Sequence, residues 1–190
     1  MTEVEIVSTT DAYIRAPLLK WLRSLHPDRL TAKMLEEFKM PRPSARIDVA
    51  LVNGEMAGFE IKSDRDTLTR LASQVPAFSR FFDRVSLVTT QKHLAEAKTK
   101  IPNWWGIVVF CDDGRFKIAR TSKRNRSVDV TAFLFALSKR ELMSIARRAG
   151  ITLPSTAKKD TVVDLLATSL LKSDIRSLAR EAIKSRSGCL

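Results

Sequence analysis

The stretch RIDVALVNGEMAGFEIKS, residues 46–63, decides the fold. Two apolar runs flank Asn53-Gly54, a pair that tolerates positive φ and is the strongest hairpin signal in the chain. Side chains alternate across a strand, so a turn centred on Gly54 sets residue 48 opposite residue 60. That register requires a three-residue loop or one bulge near Ala57-Gly58. One face then carries Ile47, Val49, Leu51, Phe59 and Ile61 and is expected to meet the core. The other presents Asp48, Ala50, Gly58, Glu60 and Lys62, two carboxylates and an ammonium over small residues that leave space beside them.

Outward from the hairpin, Leu18, Leu19 and Leu22 predict a helix over Asp11–Ser24. A short helix is expected over Thr31–Phe38, carrying Glu36 and Glu37 near its end. Leu68, Leu71, Val75, Phe78 and Phe82 form a helical stripe, with Ser63 and Asp66 at capping-box spacing, so a helix is expected over Asp64–Phe82, kinked at Pro76. Val85–Val88 and Ile107–Phe110 read as buried strands around a helix near His93–Lys100, and Asp113-Gly114 turns the second into Phe116–Ala119. Texture changes at TSKRNRSVDVT, residues 121–131, which is polar, basic and aperiodic. We therefore expect an α/β unit over residues 1–125 and a small all-helical module over 126–190. Within the module, Ser138 and Glu141 cap a helix that Gly150 ends, a second buries Val162, Val163, Leu165 and Leu166, and a third spans Ser173–Lys184.

The 190 residues include 33 Lys and Arg against 21 Asp and Glu, a net charge of +12, but only 2 His and 2 Cys. Cys111 and Cys189 provide no ligand spacing for zinc and no disulfide framework, so any metal must sit on oxygen. No apolar run is long enough to cross a membrane, and the opening MTEVEIVSTT has no leader-like regions, so a cytoplasmic protein without a membrane partner is expected. A basic excess of this size suits a polyanion, nucleic acid foremost.

Opposed carboxylates on neighbouring strands, without His or Cys, suit Mg²⁺ or Mn²⁺. A lysine on the same face can orient a metal-bound water or stabilise charge on a phosphate. The ordinary alternative is a cross-strand salt-bridge cluster. Asp48, the hairpin, and Glu60-Ile61-Lys62 resemble the PD-(D/E)xK nuclease superfamily, with Ile47 where its name places proline. Gln74 and Phe78 resemble the Gln-aromatic pair of its RecB-like branch. That resemblance implies a restriction-endonuclease-like fold, a mixed central sheet flanked by helices, and metal-dependent hydrolysis of phosphodiester bonds, DNA foremost. It implies a metal held by Asp48, Glu60, the Ile61 carbonyl and Glu37 (Glu36 in reserve), and catalysis by Lys62 with Gln74. Arg46, Arg65 and Arg70 would contact phosphates. Residues 138–171 resemble helix-extension-helix modules such as SAP and the Rho N-terminal domain, which implies phosphate contacts by Arg147, Arg148, Lys158 and Lys159. Double-strand cleavage would call for a homodimer or for repeated nicking. The alternatives are a nucleic-acid-binding adapter without catalysis and a protein-interaction module in a repair or defence complex. Trp104-Trp105 could stack on bases, although the apolar strand that follows favours packing.

Overall fold

The computed structural model describes residues 9–28 and 31–186; the first eight residues of the opening stretch and Cys189 lie outside them. The expected mixed α/β architecture with C-terminal helices is present. Six strands lie in sequence order: β1 (Lys33–Pro41), β2 (Ser44–Val52), β3 (Met56–Lys62), β4 (Arg84–Thr90), β5 (Gly106–Phe110) and β6 (Phe116–Arg120). The first three pair antiparallel, β3–β4 and β4–β5 are parallel, and β6 returns antiparallel. The helices are α1 (Asp11–Leu25), α2 (Leu71–Phe81), α3 (Leu94–Lys100), α4 (Val130–Phe135), α5 (Lys139–Arg148), α6 (Lys159–Ser169) and α7 (Lys172–Lys184), with one 3₁₀ turn at Gln91–His93.

The hairpin register matches the turn arithmetic. Val52 pairs with Met56 and Val49 with Phe59, leaving a three-residue loop at 53–55 whose Gly54 has φ +94°. That left-handed geometry is why glycine sits there.

Parity fails at one place. Val49 and Ile61 pack under α1 with Ile14 and Leu18, whereas Ile47 joins Ala50 and Val52 on the opposite face. Across the ladder Glu37, facing position 48, has φ +53°, and β1 changes face at the same point without losing register. Leu35 and Phe38 consequently both enter the main core. The helix expected over Thr31–Phe38 is therefore absent: from Lys33 onward the stretch belongs to β1. The Asp48 face is not open either. Phe82 and Ile47 cover Gly58, and a Cβ there would lie 2.4 Å from Ile47 Cδ1 and 3.1 Å from the Phe82 ring. Gly58→Ala should therefore destabilise the protein by about 1–3 kcal/mol through overpacking, read as a lower urea midpoint.

The helix expected from Asp64 starts at Leu71. Asp66 Oδ2 accepts from Ser63 N at 2.9 Å and from Ser63 Oγ at 2.6 Å, closing a turn instead of capping a helix. α2 then runs unbroken through Pro76. α4, capped by Asp129, was not expected from the polar segment around it. Ser138 and Glu141 form the reciprocal capping box on α5. Apolar residues of α4–α7, among them Phe133, Leu142, Val163 and Ile175, are continuous with the core beneath the sheet, where Phe133 stacks on Phe81 at 4.7 Å.

Candidate functional site

Two places concentrate polar chemistry. The first lies where β2 changes face. Beyond the Val49–Phe59 pair, the Asp48 side chain takes over from the ladder, accepting from Ile61 N at 2.7 Å through Oδ2. Arg15 reaches it from α1: Nη2 lies 3.1 Å from Asp48 Oδ1, Nη1 is 3.0 Å from the Asp48 carbonyl and 2.8 Å from Glu37 Oε1, and Nε is 2.8 Å from Asp11. Burial works against this guanidinium's charge, but the Asp11 hydrogen bond and the Asp11, Asp48 and Glu37 carboxylates outweigh it and raise the pKa. Arg46 closes on the far oxygen of Glu37 at 2.6 Å.

Behind Asp48, Lys62 and Glu60 are both buried, with side chains 2% and 3% exposed, and their Nζ–Oε1 separation is 2.5 Å. Gln74, on α2, donates to the same oxygen at 2.6 Å. Burial first, then the Asp48 charge, push the Glu60 carboxyl up to about 7; Lys62 and Gln74 pull against that rise. Burial likewise raises Asp48, opposed by the Ile61 N–H. A cavity of about 190 Å³, lined by Ser44, Arg46, Asp48, Glu60, Arg70 and Gln74, opens beside the pair.

The structure thus brings together Glu37, Asp48, Glu60, Lys62 and Gln74, with the Ile61 N–H turned to Asp48. Glu37 arrives from strand β1 and not from a helix end, and Glu36 is exposed on the same strand. These donors do not present a cation site suited to Mg²⁺ or Mn²⁺. Arg15 lies between Glu37 and Asp48, Lys62 and Gln74 hold one Glu60 oxygen, and among the described residues no group of three His, Cys, Asp or Glu is placed to hold a metal. Among the described residues, Glu60 Oε2 and Gln74 Oε1 have no hydrogen-bond partner. The sequence offered no sign of Arg15, which lies 33 residues before Asp48.

The second place is basic. A groove of about 670 Å³ is lined by Trp104, Lys123, Arg124, Asn125, Arg126 and Arg176. Its rim is the segment that reads as a featureless linker. Buried Asn125 bolts that segment to the corner between α2 and β4, with Nδ2 donating to Ser79 O at 2.5 Å and Phe82 O at 3.0 Å, and its N–H to Asp83 O at 2.8 Å. Lys123, Arg124 and Arg126 are left exposed on either side. Arg176 of α7 pairs with fully buried Asp83, and Glu55 pairs with Arg84 at 2.8 Å and with Arg124 at 3.7 Å. Two carboxylates do not balance this set. Burial lowers Arg176 and Arg180, and neighbouring guanidinium charge lowers both further: Arg180 acts on Arg176, and Arg124 acts on Arg180. The density of cations in Lys123-Arg124-Asn125-Arg126 was the available signal for this groove.

The other expected phosphate contacts divide. Arg147 and Lys158 are exposed without ion pairs among the described residues, as is Arg65, and exposed Arg70 borders the smaller cavity. Arg148 is engaged by Glu181 at 3.1 Å, and Lys159 donates to the Phe135 carbonyl at 2.8 Å, tying α6 to the end of α4. The tryptophan pair also divides. Trp105 is fully buried, stacked on Phe78 at 6.1 Å and donating to Ser79 Oγ at 3.2 Å, whereas Trp104 is half-buried on the groove wall. No helix among the described residues is long and apolar enough to cross a membrane.

A six-stranded mixed sheet with helices on both faces, an internally neutralised acid–lysine cluster and a separate basic groove define an α/β protein with a C-terminal helical region. The chain belongs to the family of bacteriophage P4 protein cII, which it matches over residues 7–189. It is 30% identical over 178 residues to protein cII of Enterobacteria phage P4, a match covering 91% of this chain and 66% of that relative, so the chain spans just under two thirds of the relative's length. A protein of unknown function from Silicibacter pomeroyi is structurally similar, with a TM-score of 0.45 and 18% identity over 73% of this chain and 92% of that one. The family and the curated relative correct the expectation of a nuclease: both are protein cII, and neither bears a nuclease's name. In this structure Asp48 is engaged by Arg15 and the Ile61 N–H, and one oxygen of Glu60 by Lys62 and Gln74.

Proposed function

We propose that this protein binds nucleic acid, DNA foremost, through the phosphate backbone, in the cytoplasm of the cell that contains it. The observation carrying this reading is the basic groove, where Lys123, Arg124 and Arg126 stand on a segment fixed by Asn125 beside Arg176. Clustered cations on a fixed frame neutralise phosphates and release counterions, which supports affinity that is sequence-tolerant and falls steeply with salt.

The test is a salt titration of duplex DNA binding by fluorescence anisotropy. Lys123 and Arg126 have no ion pair among the described residues, so replacing both with Ala removes charge without orphaning a carboxylate. The double variant should bind more weakly at every salt concentration, and the slope of log K against log salt should fall by about 2. Superimposable titrations of variant and wild type would overturn the reading.

A further inference from the structure

The groove has one feature that a backbone grip does not need. Trp104 stands on its wall, while the adjacent Trp105 is taken into the core. The two rings meet edge-on, with centroids 6.1 Å apart and planes at 75°. Both are held by the chain opposite: Lys123 N donates to the Trp104 carbonyl at 2.7 Å, and Arg120 Nε to the Trp105 carbonyl at 2.7 Å. The Trp104 indole N–H has no hydrogen-bond partner among the described residues, whereas that of Trp105 is bonded to Ser79. The result is an aromatic ring at fixed height between exposed cations, in a concavity within the range of roughly 300–1,000 Å³ that accommodates small ligands.

A paired base keeps its faces inside the duplex stack and cannot lie on a wall of this kind. An unpaired base offers its π-face freely, and cations beside the ring are placed to meet the flanking phosphates. We propose that the groove takes an unpaired nucleotide strand, one base stacking on Trp104 while Lys123, Arg124 and Arg126 hold the phosphates on either side. This inference rests on the nucleic-acid reading above and narrows its ligand to single strands or locally opened duplex.

Three labelled probes of equal length test it by anisotropy: a thymidine oligonucleotide, the same strand made abasic throughout, and a duplex. Trp104→Leu keeps an apolar side chain against Trp105 but removes the π-face, and Trp104→Phe keeps a smaller one. The wild type should bind the thymidine strand more tightly than the abasic strand. Trp104→Leu should lose about tenfold on the thymidine strand, the effect of one lost base–aromatic stack. It should change little on the abasic strand and the duplex, and Trp104→Phe should fall between it and the wild type. If Trp104→Leu fails to fold, the contrast between thymidine and abasic strands in the wild type, and its reduction in Trp104→Phe, decide the matter. Equal loss on all three probes would make Trp104 a structural residue and overturn stacking. No loss in Trp104→Leu, with all three probes weakened in the Lys123/Arg126 double variant, would overturn stacking and keep the backbone grip. Unchanged binding in every variant would remove the nucleic-acid reading along with it.

Discussion

Lys62→Met should cost about 3–5 kcal/mol of folding stability at pH 8, the penalty for leaving a buried charge without its partner. Lys62 and Glu60 are almost completely sequestered, and Lys62 is the cation in contact with the Glu60 carboxylate. Gln74 would remain on Oε1, and Asp48 would continue to repel the negative charge. The loss should depend on pH, with a definite sign. The folded-state pKa of Glu60 is raised from 4.5 to about 7, with burial as the leading cause, so its contribution is fully present below the unfolded value and is lost as pH rises through the folded one. Without Lys62 this loss is uncompensated. The gap between variant and wild type should therefore be smallest near pH 5, where Glu60 carries its proton, and widen between pH 5 and 8. Urea unfolding of both proteins at the two pH values measures it, and the comparison cancels the carboxylates that shift in the opposite sense, such as Asp64 and Glu141. Adding Glu60→Gln to Lys62→Met should recover most of the stability at pH 8, since a neutral amide pays far less for burial. A pH-independent loss, or no recovery in the double variant, would mean that the pair contributes by packing alone.

The Lys62 cluster also marks how far sequence reasoning reaches. The hairpin was legible because Asn53-Gly54 locates the turn and alternation does the rest, which is why residue 49 meets 59 and 52 meets 56. The same alternation misplaced Ile47, because both strands change face where the left-handed Glu37 lies opposite position 48, and no composition signal marks that point. A glutamate at φ +53° costs energy that the surrounding structure must offset, and Glu37 is held there by ion pairs with Arg15 and Arg46. Arg15 itself was invisible, since its role depends on α1 crossing the sheet 33 residues before Asp48. The basic groove was hidden for the opposite reason. Local polarity and lack of period made residues 121–131 resemble a linker, and the hydrogen bonds of Asn125 that give the segment a fixed shape run to residues more than 40 positions earlier. Long-range partners, and not local propensity, account for these misreadings.

Asp83→Ala should be comparably damaging, about 3–5 kcal/mol, because this residue joins three parts of the molecule at the corner between α2 and β4. It is fully buried. Its Oδ2 accepts from Met56 N at 2.8 Å and its own N–H donates back to the Met56 carbonyl at 2.8 Å, fixing the start of β3. Its carbonyl accepts from Asn125 N, holding the basic segment, and its Oδ1 meets Arg176, holding α7. Alanine leaves the Met56 N–H unsatisfied and Arg176 without its counter-charge inside the interface. Asparagine separates the two effects, since its amide oxygen can still accept from Met56 while the charge is gone, so Asp83→Asn should lose about half as much. A double-mutant cycle with Arg176→Met should give a coupling energy above about 1 kcal/mol, as expected for a contacting pair. Hydrogen exchange should show α7 amides losing protection in Asp83→Ala before those of β4. Equal losses for Asn and Ala, with no coupling to Arg176, would place the whole contribution in the Met56 hydrogen bond and leave α7 held without help from Asp83, by its buried Ile175, Ala179 and Ile183 and by contacts such as Glu181 with Arg148.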